Sequence, residues 1–550
     1  MSSQWRRKMM FKRSKLNEKK KIQLTDDYKN QVCEHAYLGK KGYTIPKSIL
    51  SEEDLYSLYE ELKVKPESAN ILYGVSMDDC TFPVYRENDK KIYIPRFFGI
   101  ERYGMPHRSE ITKGETISLH FPKSLRDYQE KIVEIYMNYI KKPICQNSNE
   151  FGNGGILEVP CGRGKTVMAL KIISNVQKKT LIIVHKEFLM NQWIERIEEF
   201  LPGAKVGKIQ GPIFDVQGKD IVIGMLQTLY DRALPENAFD CFGLTIVDEV
   251  HRIGSEQFSK TLLRVVSPNM LGISATVDRK DKLTCVLYMF IGPKIYTEQR
   301  KDDDPVCVRS IEYISTDSQF NETEYDFKGQ AKYSTMISKL CDFGPRSDFI
   351  IKVLQDLVEE SKTNNDDAQI MVLAHNRSLL KYFYEAINHR KFATVGFYVG
   401  GMKQIELQET EGKEIVLATY AMAAEALDIK TLSILVMATP KTDITQSVGR
   451  ILRVRHDNPV VVDIVDHHDV FQNQWKQRKT FYRKCNYKIL STDSIQYKTM
   501  SLDWANDKTW SKTFEPKKGK YYDNDDYTGG NPLLKKKCLI SIKDLDLNDE

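Results

Sequence analysis

Gly155-Ile156-Leu157-Glu158-Val159 runs into Pro160-Cys161-Gly162-Arg163-Gly164-Lys165-Thr166, and Met168, Leu170, Ile172, Ile173 and Val176 then fall at helical spacing. The pattern predicts strand, loop and helix in that order, the unit from which parallel α/β sheets are assembled. Glycines in the loop permit the positive φ and close approach with which main-chain N–H groups surround phosphate oxygens. The dipole of the following helix favours an anion at its N-terminus. Pro160, Cys161, Gly162, Arg163 and Gly164 then form a cradle, Lys165 reaches the β- and γ-phosphates of a nucleoside triphosphate, and the Thr166 hydroxyl ligates Mg²⁺. The strict spacing G-x-x-x-x-G-K-[ST] is not met, because Val159 stands where it asks for glycine.

Downstream, Gly243-Leu244-Thr245-Ile246-Val247-Asp248-Glu249 reads as a buried parallel strand ending in two carboxylates, at the edge where open α/β sheets place their ligands. Asp248 would hold Mg²⁺ through its water shell, and Glu249 would polarise an attacking water. An Asp-Glu pair alone also fits an acidic helix N-cap; its meaning comes from the loop upstream. Farther on, Gln446-Ser447-Val448-Gly449-Arg450-Ile451-Leu452-Arg453 follows the strand-like Ser433-Ile434-Leu435-Val436-Met437. The spacing of Ile444, Val448, Ile451 and Leu452 predicts a helix there, so Arg450 and Arg453 share a face. Arginine aimed at a γ-phosphate from a second domain neutralises transition-state charge, typically worth about 10³–10⁵ in rate. In isolation the pair would suit a basic helix face opposite surface acids.

These motifs together resemble the superfamily 2 helicases, most closely the XPB-type DNA helicases, phage UvsW-type translocases and late-transcription helicases of poxviruses and other large DNA viruses. The resemblance covers about residues 120–485. It implies that Leu125-Arg126-Asp127-Tyr128-Gln129 is an adenine-reading segment, with Gln129 offering the amide. It implies that Leu181-Ile182-Ile183-Val184-His185-Lys186 with Gln192-Trp193, and Gly224-Met225-Leu226-Gln227-Thr228, grip a nucleic-acid strand. Ser274-Ala275-Thr276 is similar to the element that couples hydrolysis to domain movement. Met371-Val372-Leu373-Ala374-His375 and the segment from Leu417 to Ile429 match the remaining nucleic-acid and nucleotide segments, with Asp428 near the nucleotide and Thr419 near a phosphate of the track. Ala426 replaces a glycine usual in the family, and Val277 a common proline.

The formal charge of +6 is concentrated at one end: residues 1–21 hold nine Lys/Arg against Glu18, a net of +8 that leaves −2 for the rest of the 550 residues. The charge therefore supports a basic tail able to touch phosphates or serve in targeting, and not a basic body. Ten scattered cysteines contain no C-x-x-C pair, which argues against zinc fingers, disulfide frameworks and an iron–sulfur helicase of the XPD type. Reduced thiols in an intracellular compartment are expected; for a large DNA virus, that is host cytoplasm or virion. No apolar run reaches the ~18 residues that span a bilayer, and the basic N-terminus lacks the apolar stretch of a secretory signal.

The fold class expected is α/β, with two tandem RecA-like parallel-sheet motor domains, an N-terminal α+β module and a C-terminal extension. The boundaries are 1–22 for a disordered basic tail, 23–120 for the accessory module, 121–297 and 340–489 for the motor domains, 298–339 for a connecting region, and 490–550 for the extension. Within the module, 81–85 and 91–95 read as a β-hairpin joined by the polar turn 86–90. Arg96-Phe97-Phe98-Gly99-Ile100-Glu101-Arg102-Tyr103-Gly104 suits either phosphate contact with base stacking or, more commonly, a sheet core with snorkelling arginines.

The leading function is an ATP-driven translocase or helicase with ATP and Mg²⁺ as cofactors and Lys165, Thr166, Asp248, Glu249, Arg450 and Arg453 as the hydrolytic set. DNA is the favoured track; RNA stays open, because Asp-Glu-Val-His occurs in helicases of both. A nucleic-acid-stimulated ATPase that releases transcripts or remodels nucleoprotein complexes would use the same motor, with transcription or repair machinery as partners. A phosphate-loop enzyme for a small molecule, such as a kinase, is opposed by the second domain and its paired arginines. No membrane partner is expected; the sequence leaves the oligomeric state open, with a monomer favoured.

Overall fold

The computed structural model describes residues 23–65, 81–146, 148–160, 162–235, 237–250, 256–277, 283–298, 306–327, 329–363, 368–425, 429, 431–449, 451, 456, 458–501 and 507–516. The basic tail 1–22 lies outside them, as do Trp504, Tyr521-Tyr522 and Lys535-Lys536-Lys537 of the C-terminal extension. The bulk of the chain up to Glu298 forms one compact unit, and the chain from residue 299 the body of a second.

The first unit opens with β1 (Tyr37–Gly39), β2 (Gly42–Pro46), β3 (Lys63–Val64), β4 (Phe82–Pro83), β5 (Arg86–Glu87), β6 (Lys91–Ile94) and β7 (Arg108–Ser109). Five make one sheet in the order β5-β6-β2-β1-β7, and β3 pairs with β4. Leu38, Tyr43, Ile45, Ile92 and Ile94 are fully buried and join Leu58, Phe98 and Tyr103 in one core. The hairpin is tighter than its sequence suggests. Arg86 pairs with Tyr93 and Glu87 with Ile92, while Phe82–Pro83 turns away to β3. The cause is Asn88, whose side-chain oxygen accepts from the N–H groups of Lys90 (3.0 Å) and Lys91 (2.7 Å) and closes a short turn.

Residues 96–103 form a helix, so neither a strand core nor a stacking surface describes them. Arg102 binds Asp54 (2.5 Å) and Glu61 (2.7 Å) inside the module. Arg96, 4% exposed, donates to the carbonyls of Pro268 (2.8 Å), Ser267 (3.3 Å) and Gly152 (2.8 Å). Burial pushes its guanidinium down to about 10, which leaves it charged at neutral pH. Both arginines are thus structural: one holds the module together and the other docks it to the rest of the first unit.

The large sheet of the first unit comprises β8 (Gly154–Glu158), β9 (Thr180–Val184), β10 (Val206–Gln210), β11 (Ile213–Phe214), β12 (Ile221–Met225), β13 (Leu244–Asp248), β14 (Asn269–Ser274) and β15 (Lys294–Thr297). Its order is β11-β10-β12-β9-β13-β14-β8-β15, with every pairing parallel except that of β11. β9 and β13 are buried along their whole length, as their unbroken apolar runs require when helices cover both faces. Gly152, Ser267 and Pro268 precede β8 and β14, so Arg96 docks the module at the N-terminal edge of this sheet.

The second unit repeats the plan with β16 (Cys307–Tyr313), β17 (Gln369–Ala374), β18 (Val395–Tyr398), β19 (Ile415–Thr419), β20 (Leu432–Met437), β21 (Val460–Asp466), β22 (Lys488–Asp493) and β23 (Ser511–Phe514). The order is β18-β19-β17-β20-β21-β16-β22-β23, and only β23 runs antiparallel to its neighbour. The fold class is therefore α/β with two RecA-like parallel sheets. Two segments differ from expectation. β16 falls within the supposed connecting region yet lies inside the sheet between β21 and β22, and β22 with β23 carries the sheet into the supposed extension. The strand at 307–313 was hidden by polar residues at buried positions. Arg309 forms two bonds to Glu360 (2.6 and 2.7 Å) and Ser310 meets Ser491 (2.7 Å), so neither interrupts the core.

Central β21 carries two buried acids, and both are neutralised. Asp466 takes two bonds from Arg346 (2.6 and 2.8 Å) and Asp463 two from Arg478 (2.7 and 2.9 Å). Positions three apart on a strand face opposite sides, so the strand is pinned from both. Removing one partner of such a pair leaves an uncompensated buried charge. Asp463→Asn should lower the unfolding free energy of the second unit by about 3–5 kcal/mol, read from the urea transition of that unit; a loss under about 1 kcal/mol would show that Arg478 finds other compensation.

A phosphate loop and an acid pair on one sheet edge

Val159 explains its own departure from the strict loop spacing. It is 1% exposed and its N–H donates to the Ser274 carbonyl at 2.9 Å, so it still belongs to the sheet and needs no glycine freedom. The left-handed backbone falls later, on Gly162 (φ 82) and Gly164 (φ 80). A Cβ on Gly164 would lie 2.4 Å from the side-chain nitrogen of Gln129. That residue sits in the first turn of helix Asp127–Tyr139, and its amide oxygen accepts from the Arg126 N–H at 3.1 Å. The predicted adenine reader is therefore packed against the phosphate loop. Lys165 and Thr166 are the first two residues of helix Lys165–Val176.

Parallel pairing carries β8 and β13 to the same edge, with β14 between them. Glu249 follows β13 in a left-handed conformation (φ 49), which costs a residue with a Cβ roughly 1–2 kcal/mol. Its N–H donates to Asp248 Oδ1 at 2.9 Å, which offsets part of that cost. Lys165 Nζ stands 3.4 Å from Glu249 Oε1. Asp248 is 7% exposed, and its other oxygen accepts from the Trp193 indole N–H at 2.8 Å. Burial pushes its carboxyl up to about 6, and the Glu249 charge adds to this; the indole and Lys165 act in the opposite direction.

A buried carboxylate whose charge is only partly compensated fits a hard dication. Among the described residues no three His, Cys, Asp or Glu side chains converge as a metal cage. Mg²⁺ is commonly held by one or two carboxylates completed by water and phosphate oxygens, so a single buried carboxylate such as Asp248 is compatible with it.

The predicted segments are not all where their expected roles place them. Trp193 does not face a strand: it is 2% exposed in the core of its unit and orients Asp248. Its place among Leu189, Met190 and Ile197 at helical spacing was the available signal, since a buried indole needs an acceptor for its N–H. Ser274 ends β14, and its hydroxyl donates to the Thr276 carbonyl at 2.6 Å. In the second unit His375 follows β17. Its main-chain N–H donates to Thr439 Oγ1 at 3.0 Å, and its Nδ1 lies 2.8 Å from the same oxygen. Burial, with Lys441 adding to it, pushes that imidazole down to about 4, so it is neutral at physiological pH. Thr419 ends β19. Cys161, His251, Ala426, Asp428, Arg450 and Arg453 lie outside the described residues.

Comparison with known proteins agrees with this arrangement. Residues 122–279 match the family described as type III restriction enzyme, res subunit. The chain is 31% identical over 480 residues to a putative ATP-dependent RNA helicase, L396, of Acanthamoeba polyphaga mimivirus, covering 86% of this chain and 89% of that one. It is 28% identical over 396 residues to the putative ATP-dependent RNA helicase QP509L of African swine fever virus, covering 68% and 74%. Against the DNA 3'-5' translocase XPB2 of Sulfurisphaera tokodaii it is 27% identical over 365 residues, covering 63% and 74%. With its phosphate loop, acid pair and Ser-Ala-Thr segment on one edge of a parallel sheet, and a relative this similar over most of both chains, the protein belongs to the superfamily 2 helicases, a family of ATP hydrolases.

Proposed function

We propose that this chain is an ATP-driven translocase or helicase on nucleic acid, with DNA as the favoured track. The observation that carries the reading is the buried Asp248, oriented by Trp193 and standing beside Glu249 and Lys165 where the strand feeding the phosphate loop also ends. In this reading Gln129 binds adenine, the main chain of 160–164 cradles the phosphates, and Lys165 binds the β- and γ-phosphates. Thr166 and Asp248 hold Mg²⁺, which when bound supplies charge neutralisation at the phosphoryl group. Glu249 orients the attacking water and receives its proton. Asp428 is assigned to the nucleotide, and Arg450 with Arg453 to the charge that develops on the γ-phosphate.

A second reading, RNA as the track, is favoured by the names of two relatives, the mimivirus and African swine fever virus proteins, whereas the archaeal relative is named a DNA translocase. ATP hydrolysis measured with duplex DNA, single-stranded DNA and RNA at one fixed salt concentration separates the two, because phosphate contacts make affinity steeply salt-dependent. Stimulation is expected to be greatest with DNA, and greater stimulation by RNA assigns the RNA track. Strand displacement measured beside it separates unwinding from release or remodelling, and hydrolysis indifferent to every nucleic acid would overturn both readings.

Two substitutions test the roles. Glu249→Gln keeps the size and hydrogen-bonding reach of the side chain but removes the proton acceptor, so ATP binding should persist while kcat falls about 10²-fold or more; wild-type turnover in this variant would remove Glu249 from the mechanism. Trp193→Phe deletes one donor to Asp248, and that donor lowers the Asp248 pKa. The carboxyl should therefore hold its proton to higher pH. The Mg²⁺ concentration for half-maximal hydrolysis should rise severalfold, most strongly as pH falls toward 6, and an unchanged Mg²⁺ dependence across pH 6–8 would show that the indole does not set the charge state.

A further inference from the structure

Glu158 is the last residue of β8, two positions before the phosphate loop begins at Pro160, and its carboxylate joins three segments. Oε1 accepts from the Val277 N–H at 2.7 Å, just past Ser274-Ala275-Thr276. Oε2 accepts from Lys294 Nζ at 2.8 Å and Thr297 Oγ1 at 3.2 Å, both on β15. The strands concerned are neighbours, in the order β14-β8-β15, with Ser274 and Thr297 both in register with Glu158.

The main-chain ladder ends on this level: the Val159 N–H reaches the Ser274 carbonyl, and the Glu298 N–H reaches the Glu158 carbonyl, both at 2.9 Å. Beyond it the chain after Ser274 has left the sheet, and the side chain of Glu158 extends the connection to residue 277. Both charged partners are largely shielded, with side-chain exposures of 13% for Glu158 and 18% for Lys294. A charge-assisted bond is strongest in such surroundings. A proline at position 277 would have no N–H to donate, so the valine is what makes the contact available.

We propose that Glu158 is a positioning residue that clamps the Ser-Ala-Thr segment to the strand feeding the phosphate loop. A displacement of the loop then reaches residues 274–277 through one carboxylate, as well as through the ladder behind it. The proposal rests on the ATP-hydrolysing reading above for its functional consequence, but not for the contact itself.

The test uses the full-length chain with Glu158→Ala, Glu158→Gln, Val277→Pro and Val277→Ala. Amide exchange of the 274–277 segment reads the clamp without reference to activity. Glu158→Ala should speed exchange at Val277 about tenfold or more, as expected for a lost local bond, with the thermal midpoint near wild type. In ATPase assays with nucleic acid, Glu158→Ala and Val277→Pro should each lower kcat about tenfold, with KM for ATP within about twofold, as expected of misplacement and not of lost substrate contact. Glu158→Gln, which keeps an acceptor, should recover part of the loss, and Val277→Ala, which keeps the N–H, should match wild type. The double variant Glu158→Ala/Val277→Pro should be no worse than either single, the signature of one shared interaction. Unchanged exchange in Glu158→Ala, or fully additive losses in the double variant, overturns the clamp. A wild-type protein whose hydrolysis ignores nucleic acid overturns the proposed function instead, and the exchange measurement still decides the contact.

Discussion

Parallel hydrogen bonding makes every strand of a sheet end at the same edge, and the functional arrangement of this protein depends on that constraint. Residues far apart in sequence, Glu158 before the loop, Asp248 before the acid turn and Ser274 before its own short segment, terminate three neighbouring strands. None of them needs a long side chain or an unusual loop to meet the others. The catalytic geometry is therefore a by-product of strand order, and only the last one or two residues of each strand are left to vary the chemistry. The accessory module uses the other edge, where it obstructs none of these strand ends.

Strands β13 and β21 treat buried carboxylates in opposite ways. On β21, Asp463 and Asp466 each receive an arginine fork, and their charge is cancelled within the protein. On β13, Asp248 is also buried but receives a neutral indole N–H and a main-chain N–H. The first arrangement is complete and serves stability. The second leaves a charge whose compensation is partial, and an acid kept in that condition has an affinity for a cation that a saturated one lacks.

Much of this was legible in the sequence, for reasons that differ between elements. The phosphate loop, the acid pair and most parallel strands announce themselves because glycines at forced φ angles and unbroken apolar runs have few other uses. Strand β16 was not legible, because Arg309 and Ser310 are buried polar residues whose partners, among them Glu360, Leu490 and Ser491, are distant in sequence. Residues 96–103 alternate arginines with aromatics in a way that suits a sheet core or a stacking segment, but they form a helix whose arginines find partners only through the fold. The roles of Trp193 and Glu158 were missed for a related reason: the resemblance put Trp193 in a strand-gripping segment and Glu158 passed as part of the run into the loop, until the neighbour that each one serves is seen.

Arg96 holds the accessory module to the motor through main-chain carbonyls, with no acid among its hydrogen-bond acceptors. Every amino acid presents the same oxygen, so the guanidinium reads no side chain at 152, 267 or 268; Gly152 is fixed by space instead, since a Cβ there would lie 2.8 Å from the Pro268 carbonyl oxygen. The attachment asks for no matching side chain on the motor surface, and correlated substitution between relatives would give no sign that the two surfaces touch.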